Sequence, residues 1–263
     1  MLRCEVNMYE KELEFCKDTL KKANEMFCHR SFSVSEKGSF DVVTDADKGI
    51  ELFFAEELKS NFPGDTLLGE EFSGDTELKD RTWILDPIDG TYNFATGSPH
   101  FGHQAALWDQ GKLCLSVIYL PVLGEIYEAR AGQGAFCNGK PVFVSNRKKE
   151  DAIISFGDFP HTRPLDAKDQ KRMMEHIYPR IARARMFGAA SVDFAYLASG
   201  RIEGCAFFTR NKWDLAPGWL LTVEAGGAVF GLSGEPYGFH CRGLFATNSP
   251  SLFHNITEGF QLI

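Results

Sequence analysis

The chain has 263 residues, of which 44% are hydrophobic and 24% charged, and these proportions exclude a disordered chain, a collagen and a coiled coil. Its 28 basic and 36 acidic side chains leave a formal net charge of −8, which argues against nucleic acid as the main partner. No apolar run reaches the roughly 18 residues that a membrane helix needs, and charges interrupt the N-terminus where a signal peptide would be apolar, so we expect a cytoplasmic protein that binds no membrane.

Two helices are predicted before the first strand of the main sheet. Apolar residues spaced three and four apart predict a helix over 9–27. The polar stretch 31–40 is predicted to be a loop. A second helix should begin near Asp45 and end before Pro63-Gly64.

Short β-rich runs separated by Gly, Pro and Asn occupy the stretch from residue 66 to residue 143. Strands are predicted over 82–85, 102–108, 113–119 and 124–129, with hairpin turns at 109–111 and at Asn138-Gly139. The charged stretch 146–151 has no apolar period and is the predicted boundary between an N-terminal half, 1–146, and a C-terminal half, 147–263.

Strand and helix signals alternate in the C-terminal half, which favours a layered α/β arrangement. The predicted strands cover 153–156, 184–187, 205–208, 228–231 and 244–246, and the predicted helices cover 168–182, 191–199 and 214–224.

Carboxylates follow apolar runs at several points of the chain. Trp83-Ile84-Leu85 leads directly into Asp86-Pro87-Ile88-Asp89-Gly90-Thr91, and Leu67-Leu68-Gly69 leads into Glu70. Asp214 stands at a predicted helix start, with Pro217 tolerated in the first turn. Carboxylates at strand ends are the hard oxygen ligands that Mg²⁺ prefers. Each acidic residue also has a simpler interpretation as a turn residue or helix cap, and the acidic stretch 41–47 could be only a capped helix entrance.

Together these segments resemble the inositol monophosphatase-like family of Mg²⁺-dependent, lithium-sensitive sugar and polyol phosphatases. Three motifs occur in the order found in the family: Gly69-Glu70-Glu71, Asp86-Pro87-Ile88-Asp89-Gly90-Thr91, and Trp213-Asp214 followed by Glu224-Ala225-Gly226-Gly227. The resemblance implies a layered αβαβα sandwich of the sugar phosphatase type, built from an α+β half and an α/β half. It also implies a homodimer.

The resemblance implies two or three Mg²⁺ ions in each site. One metal is assigned to Glu70, Asp86 and the backbone carbonyl of Ile88, and a second to Asp86, Asp89 and Asp214. Asp86 would therefore bridge the two metals. Paired metals neutralise a phosphate, lower the pKa of a bound water and stabilise both the entering and the leaving oxygen.

Catalytic and phosphate-binding roles are also implied by the resemblance. Glu70 and Thr91, the latter paired with Asp47, would orient the attacking water, and the amides of Gly90 and Thr91 would hold a phosphate oxygen. The substrate-side residues are Asp89, Gly90, Thr91, Ala189, Ala190, Phe207 and Asp214.

Two positions depart from the pattern of the inositol-preferring members. Phe207 stands seven residues before Asp214, where those members carry Glu, and Ala189 stands where Ser or Thr is common. An aromatic ring cannot accept a hydrogen bond from a hydroxyl as a carboxylate does. The polyol contacts are therefore expected to be reduced, unless Phe207 is only a core residue of its strand.

The function implied by the resemblance is Mg²⁺-dependent hydrolysis of a small sugar or polyol phosphomonoester, by in-line attack of a metal-activated water. Alternative substrates are fructose 1,6-bisphosphate and histidinol phosphate. A non-catalytic regulatory protein that retains the fold is the alternative from another class. All four side-chain ligands, Glu70, Asp86, Asp89 and Asp214, are present, which favours the enzyme.

Overall fold

The computed structural model describes residues 8–28, 32–38, 41–73 and 77–263. In chain order, the elements before residue 143 are α1 (Glu10–Phe27), β1 (Val34–Gly38), β2 (Asp41–Thr44), α2 (Asp45–Asn61), β3 (Thr66–Gly69), β4 (Arg81–Asp89), α3 (Thr91–Ala95), β5 (Gly102–Asp109), β6 (Lys112–Leu120), β7 (Glu125–Arg130), β8 (Ala135–Cys137) and β9 (Lys140–Val142). The elements that follow are β10 (Ile153–Phe156), α4 (Pro164–Ile177), β11 (Arg183–Arg185), α5 (Ala190–Ala198), β12 (Gly204–Phe207), α6 (Lys212–Glu224), β13 (Ala228–Gly231), β14 (Leu244–Thr247) and α7 (Pro250–Thr257).

Two large sheets organise the described part of the chain. The first has seven strands in the order β3-β4-β5-β6-β7-β8-β9, and only its β3–β4 pair is parallel. The second has five strands in the order β11-β10-β12-β14-β13, with β10 parallel to both β11 and β12. The first sheet lies within residues 66–142 and the second within 153–247, but the predicted division at residue 146 stays a prediction.

Helices cover both faces of each sheet. Side chains that alternate along β4 show this, because Trp83 and Leu85 pack with α1 and α2, whereas Ile84 joins the cluster formed by α5 and α6. The α5–α6 cluster also includes Cys205 and Leu244 of the second sheet, so this helix pair lies between the two sheets. Helices α4 and α7 pack on the far face of the second sheet. The layers therefore follow the order α, β, α, β, α, and the predicted αβαβα sandwich is confirmed.

The two central helices approach each other closely at Gly218. A Cβ atom at this position of α6 would lie 1.9 Å from the Phe194 ring of α5, so only glycine permits the observed contact. The N-terminal ends of both helices lie beside the end of β4.

Both predicted N-terminal helices and both predicted hairpins are confirmed. In the β5–β6 turn Gln110 and Gly111 have φ values of 49° and 81°, and in the β8–β9 turn Asn138 and Gly139 have φ values of 48° and 74°. Two-residue turns with both φ values positive suit the twist of an antiparallel hairpin.

Several predictions about the elements are wrong. The loop expected over 31–40 contains strand β1, which pairs with β2; the ends of that stretch lie outside the described residues. The sequence of β1 has few apolar residues, so the alternation of apolar and polar residues that predicts a strand is weak. Helix α4 begins at Pro164 rather than at Lys168, because Pro suits the first helical position.

The C-terminal half holds two further differences. Helix α6 begins at Lys212, so Pro217 lies inside the helix and not in its first turn. The sequence analysis also did not predict α7, whose N-cap Ser249 accepts a hydrogen bond from the Leu252 amide. Among the described residues, no helix has the combination of length and apolar character that crossing a bilayer requires.

Candidate active site

A pocket of about 290 Å³ opens where β4 ends and where α3, α5 and α6 begin. Its lining includes every predicted site residue except Asp47: Glu70, Asp86, Ile88, Asp89, Gly90, Thr91, Ala189, Ala190, Phe207 and Asp214. Eight further residues also line it: Val42, Tyr92, Gly157, Asp158, Gly188, Phe208, Thr209 and Asn211. The structure therefore brings together residues from both sheets and from both central helices.

Three carboxylates converge on one side of the pocket. Asp86, Asp89 and Asp214 each place an oxygen within 4.8 Å of the other two. Asp86 and Asp89 lie on β4, whose pairing with β5 shifts register between these two residues. Asp214 comes from the first turn of α6. Three mutually repelling oxygens at such separations form a hard donor set that suits a divalent cation.

Asp86 is the most deeply buried of the three, with 1% of its surface exposed. Its Oδ1 atom has no hydrogen-bond partner among the described residues, although buried oxygens are nearly always paired. Burial raises the pKa of Asp86 well above its ordinary value, and the charges of Glu70, Asp89 and Asp214 raise it further. An unpaired, desolvated carboxylate of this kind fits a bound Mg²⁺ ion, which would supply the missing partner.

Asp89 is held by the N-terminal turn of α5. Its carboxylate accepts hydrogen bonds from the Ala190 amide at 3.1 Å, from the Ser191 amide at 2.6 Å and from the Ser191 hydroxyl. Burial raises the pKa of Asp89 to about 6, and these hydrogen bonds oppose that rise. The role of Ser191 was not predicted, because nothing in its local sequence marks it as a carboxylate partner.

Asp214 does not cap α6, since the N-cap residue is Asn211. Instead, its Oδ2 atom accepts hydrogen bonds from the Thr209 hydroxyl at 3.2 Å and from the side-chain Nδ2 of Asn211 at 3.1 Å. Burial raises the pKa of Asp214 well above its ordinary value, and Glu70 and Asp89 add to the rise. The simpler interpretation of Asp214 as a helix cap is therefore wrong.

Thr91 links the pocket to the buried carboxylate of Asp47. Its hydroxyl lies 3.1 Å from Asp47 Oδ1 and 2.9 Å from the Ile88 carbonyl oxygen. Asp47 also accepts a hydrogen bond at 2.8 Å from the Thr44 amide, in the capping box of α2. Burial raises the pKa of Asp47 to about 6. The acidic stretch is thus both a capped helix entrance and a contact to Thr91.

Gly90 joins β4 to α3 with a φ of 83°, a conformation that favours glycine. A Cβ atom there would lie 2.8 Å from the Cβ of Ala189, so the close approach of the two segments also requires glycine. The backbone of Gly90 and Thr91 is thereby held against the loop that precedes α5.

Phe207 belongs to both the pocket and the core. Its ring is only 4% exposed, and its centroid lies 5.0 Å from that of Phe194. A Cβ atom at Gly157 would lie 2.7 Å from the Phe207 ring, so the ring is packed closely on this side as well. The burial supports the interpretation of Phe207 as a core residue, and its contact with substrate stays a prediction.

Asp158 was also missed, although it follows the pattern that identified Asp86 and Glu70. It lies directly after Gly157 at the end of the apolar strand β10, and its side chain is exposed at the pocket. Because Gly157 separates the apolar run from the carboxylate, the sequence analysis did not identify Asp158 by this pattern.

Comparisons with known proteins agree with this arrangement. The family model described as "Inositol monophosphatase family" matches residues 7–261. A Thermotoga maritima protein named fructose-1,6-bisphosphatase/inositol-1-monophosphatase is 35% identical over 205 residues, which cover 77% of each chain. A Pseudomonas aeruginosa protein named Nus factor SuhB is 38% identical over 209 residues, again 77% of each chain.

A similar solved structure is that of a Thermotoga maritima IMPase. It superposes with a TM-score of 0.81 at 30% identity, covering 95% of this chain and 94% of that one. The fold, the acidic pocket and the match along nearly the whole sequence lead to one conclusion. The chain belongs to the inositol monophosphatase family.

Proposed function

We propose that the chain is a Mg²⁺-dependent phosphomonoesterase that hydrolyses a small sugar or polyol phosphate. The observation that carries this proposal is the convergence of Asp86, Asp89 and Asp214 within 4.8 Å beside the backbone of Gly90 and Thr91. Family membership supports the reaction class, since this is a family of phosphomonoesterases that use Mg²⁺.

The proposed metal ligands are Glu70, Asp86, Asp89, Asp214 and the carbonyl of Ile88. All five line the pocket, and Asp86 lies among the other carboxylates, as a bridging ligand must. When bound, Mg²⁺ would neutralise phosphate charge and lower the pKa of a water molecule. Its binding would also relieve the mutual repulsion that raises the pKa of Asp86.

Thr91 and Glu70 are proposed to orient the attacking water. The Thr91 hydroxyl can donate its proton to the Asp47 carboxylate or to the Ile88 carbonyl, so the lone pairs of its oxygen are available to accept a hydrogen bond from water. Asp47 therefore acts through Thr91 as a positioning residue. A water held in this way is already oriented for attack, and orienting the reactants in advance lowers the activation barrier of the hydrolysis.

The amides of Gly90 and Thr91 are proposed to hold a phosphate oxygen. The close contact between Gly90 and Ala189 fixes this backbone before substrate arrives, so these donors need little reorganisation during the reaction. Ala189, Ala190 and Phe207 would form the apolar wall around the organic part of the substrate. A homodimer in the cytoplasm stays part of the proposal.

A regulatory role is the second candidate, because one relative described above is named a Nus factor. Phosphate release from a panel of esters distinguishes the two: inositol 1-phosphate, glycerol 2-phosphate, fructose 1,6-bisphosphate and histidinol phosphate, each with MgCl₂ and with EDTA. We expect Mg²⁺-dependent release from at least one ester. Release no higher with MgCl₂ than with EDTA for every ester would leave only the regulatory candidate.

A further inference from the structure

One carboxylate of the pocket is not among the proposed metal ligands. Asp158 lines the pocket from the end of β10, with its side chain exposed to solvent. The carboxylates that face the same space, Glu70, Asp86, Asp89 and Asp214, are all proposed to bind metal. Asp158 is therefore the one acidic side chain in the described lining that no metal is proposed to bind.

Local packing explains why this side chain faces the pocket. The Gly157 amide donates to the Ala206 carbonyl at 2.9 Å, which extends the β10–β12 pairing by one residue. The chain then passes over the Phe207 ring, where only glycine fits, and Asp158 follows immediately. Asp158 thus lines the same pocket as Phe207, which belongs to the proposed apolar wall.

The pocket lining formed by the described residues contains no Lys, Arg or His. Arg163 and Arg210 lie nearby in the fold, but Arg163 Nη2 donates to the Phe208 carbonyl at 2.6 Å and its Nη1 lies 3.1 Å from Asp166. Arg210 Nη2 also lies near Asp166, at 3.9 Å. Arg163 is thus held by the Phe208 carbonyl and by Asp166, and Arg210 lies beside the same carboxylate.

We propose that Asp158 is a specificity-determining residue that recognises hydroxyl or ammonium groups on the organic part of the phosphomonoester. A carboxylate accepts hydrogen bonds from such groups and attracts a cation, whereas it repels a second phosphate. The pocket therefore favours amino-alcohol and neutral polyol monophosphates over bisphosphates. This inference rests on the proposed phosphomonoesterase activity.

The test compares kcat/KM of the parent and of Asp158→Asn for three esters: O-phosphoethanolamine, glycerol 2-phosphate and fructose 1,6-bisphosphate. A unit charge at about 4 Å in water changes an equilibrium by about fivefold. Asp158→Asn should therefore raise the ratio of bisphosphate to glycerol 2-phosphate turnover by about fivefold and lower the ratio for O-phosphoethanolamine similarly. Asp158→Lys should change both ratios further in the same directions.

Asp151→Asn is the matched control, because it removes the same charge from an exposed side chain at the opposite end of β10. It should leave all three ratios unchanged. Ratios that stay constant in both Asp158 variants would overturn this inference but not the proposed function. A change confined to the Mg²⁺ concentration for half-maximal rate would also overturn it, since Asp158 would then act on the metal. If the parent releases no phosphate from any ester, the proposed function fails and this inference fails with it.

Discussion

Asp86→Asn is expected to stabilise the metal-free protein while removing its phosphatase activity. Asp86, Asp89 and Asp214 have oxygens within 4.8 Å of one another, and at an effective dielectric constant of about 20 two unit charges at this distance repel by about 3.5 kcal/mol. The folded protein already relieves part of this repulsion by binding protons, since the pKa of Asp86 is raised. We therefore expect a smaller gain in the free energy of unfolding, about 1–3 kcal/mol at pH 7.

Thermal unfolding in EDTA and in MgCl₂ measures both parts of this prediction. The parent should gain about 4.1 kcal/mol when Mg²⁺ is present at about 1,000 times its dissociation constant, whereas Asp86→Asn should gain little because it lacks the proposed bridging ligand. The order of stability of the two proteins should therefore reverse on adding Mg²⁺. Phosphate release, measured on the same samples, should be nearly absent in the variant.

Asp65→Asn is the control for this prediction, because Asp65 is also shielded from solvent but is paired. Its carboxylate accepts hydrogen bonds from Arg81 Nε at 2.8 Å and from Trp83 Nε1 at 2.9 Å. The same substitution should therefore destabilise the protein by about 2 kcal/mol with or without Mg²⁺, and leave activity intact. If Asp86→Asn behaved like Asp65→Asn in EDTA, the repulsive carboxylate cluster would be refuted.

Lithium chloride should inhibit phosphate release, and KCl at equal ionic strength should not; coinciding curves would count against a metal between Asp89 and Asp214. Thr91→Val should lower kcat by about 100-fold or more while Thr91→Ser retains most of it, and equal rates would exclude the Thr91 hydroxyl from the reaction. In EDTA the folded-state pKa values of Asp47 and Asp89, about 6, exceed their ordinary value of 3.8, so the folded protein binds more protons between these values and the stability from these groups falls as pH rises through this window. Denaturant titrations should show that Mg²⁺ removes the part of this fall that comes from Asp89, its proposed ligand, and parallel pH profiles with and without Mg²⁺ would contradict it.

Much of the fold could be predicted because strands and helices carry their own periodicity. Strand β10 was predicted with the same bounds as the structure has, Ile153–Phe156, since its short β-rich run follows the charged stretch 146–151 and ends before Gly157. Strand β1, which pairs only with β2 in a two-stranded sheet, was missed. Its sequence has few apolar residues, so the alternation that predicts a strand is weak.

Some residues of the candidate site could be predicted from local sequence, and others depend on tertiary packing. Local pattern alone marked Asp86, Asp89 and Glu70 as carboxylates after apolar runs. It could not show that Asp214 approaches them, because that distance depends on how α6 packs against the first sheet. The family resemblance supplied this relation before the structure did. Partners such as Ser191, whose hydroxyl bonds to Asp89, follow from tertiary packing and have no local signal.

The position of α5 and α6 between the two sheets has a consequence for how the protein is assembled. Asp86 and Asp89 are synthesised long before Asp214, which emerges only when α6 begins. A nascent chain that ends before α6 can hold a divalent ion only with part of its ligand set. Tight metal binding therefore becomes available only after the central helices have docked, and a bound ion would then act as a clamp that joins the first sheet to the helix layer.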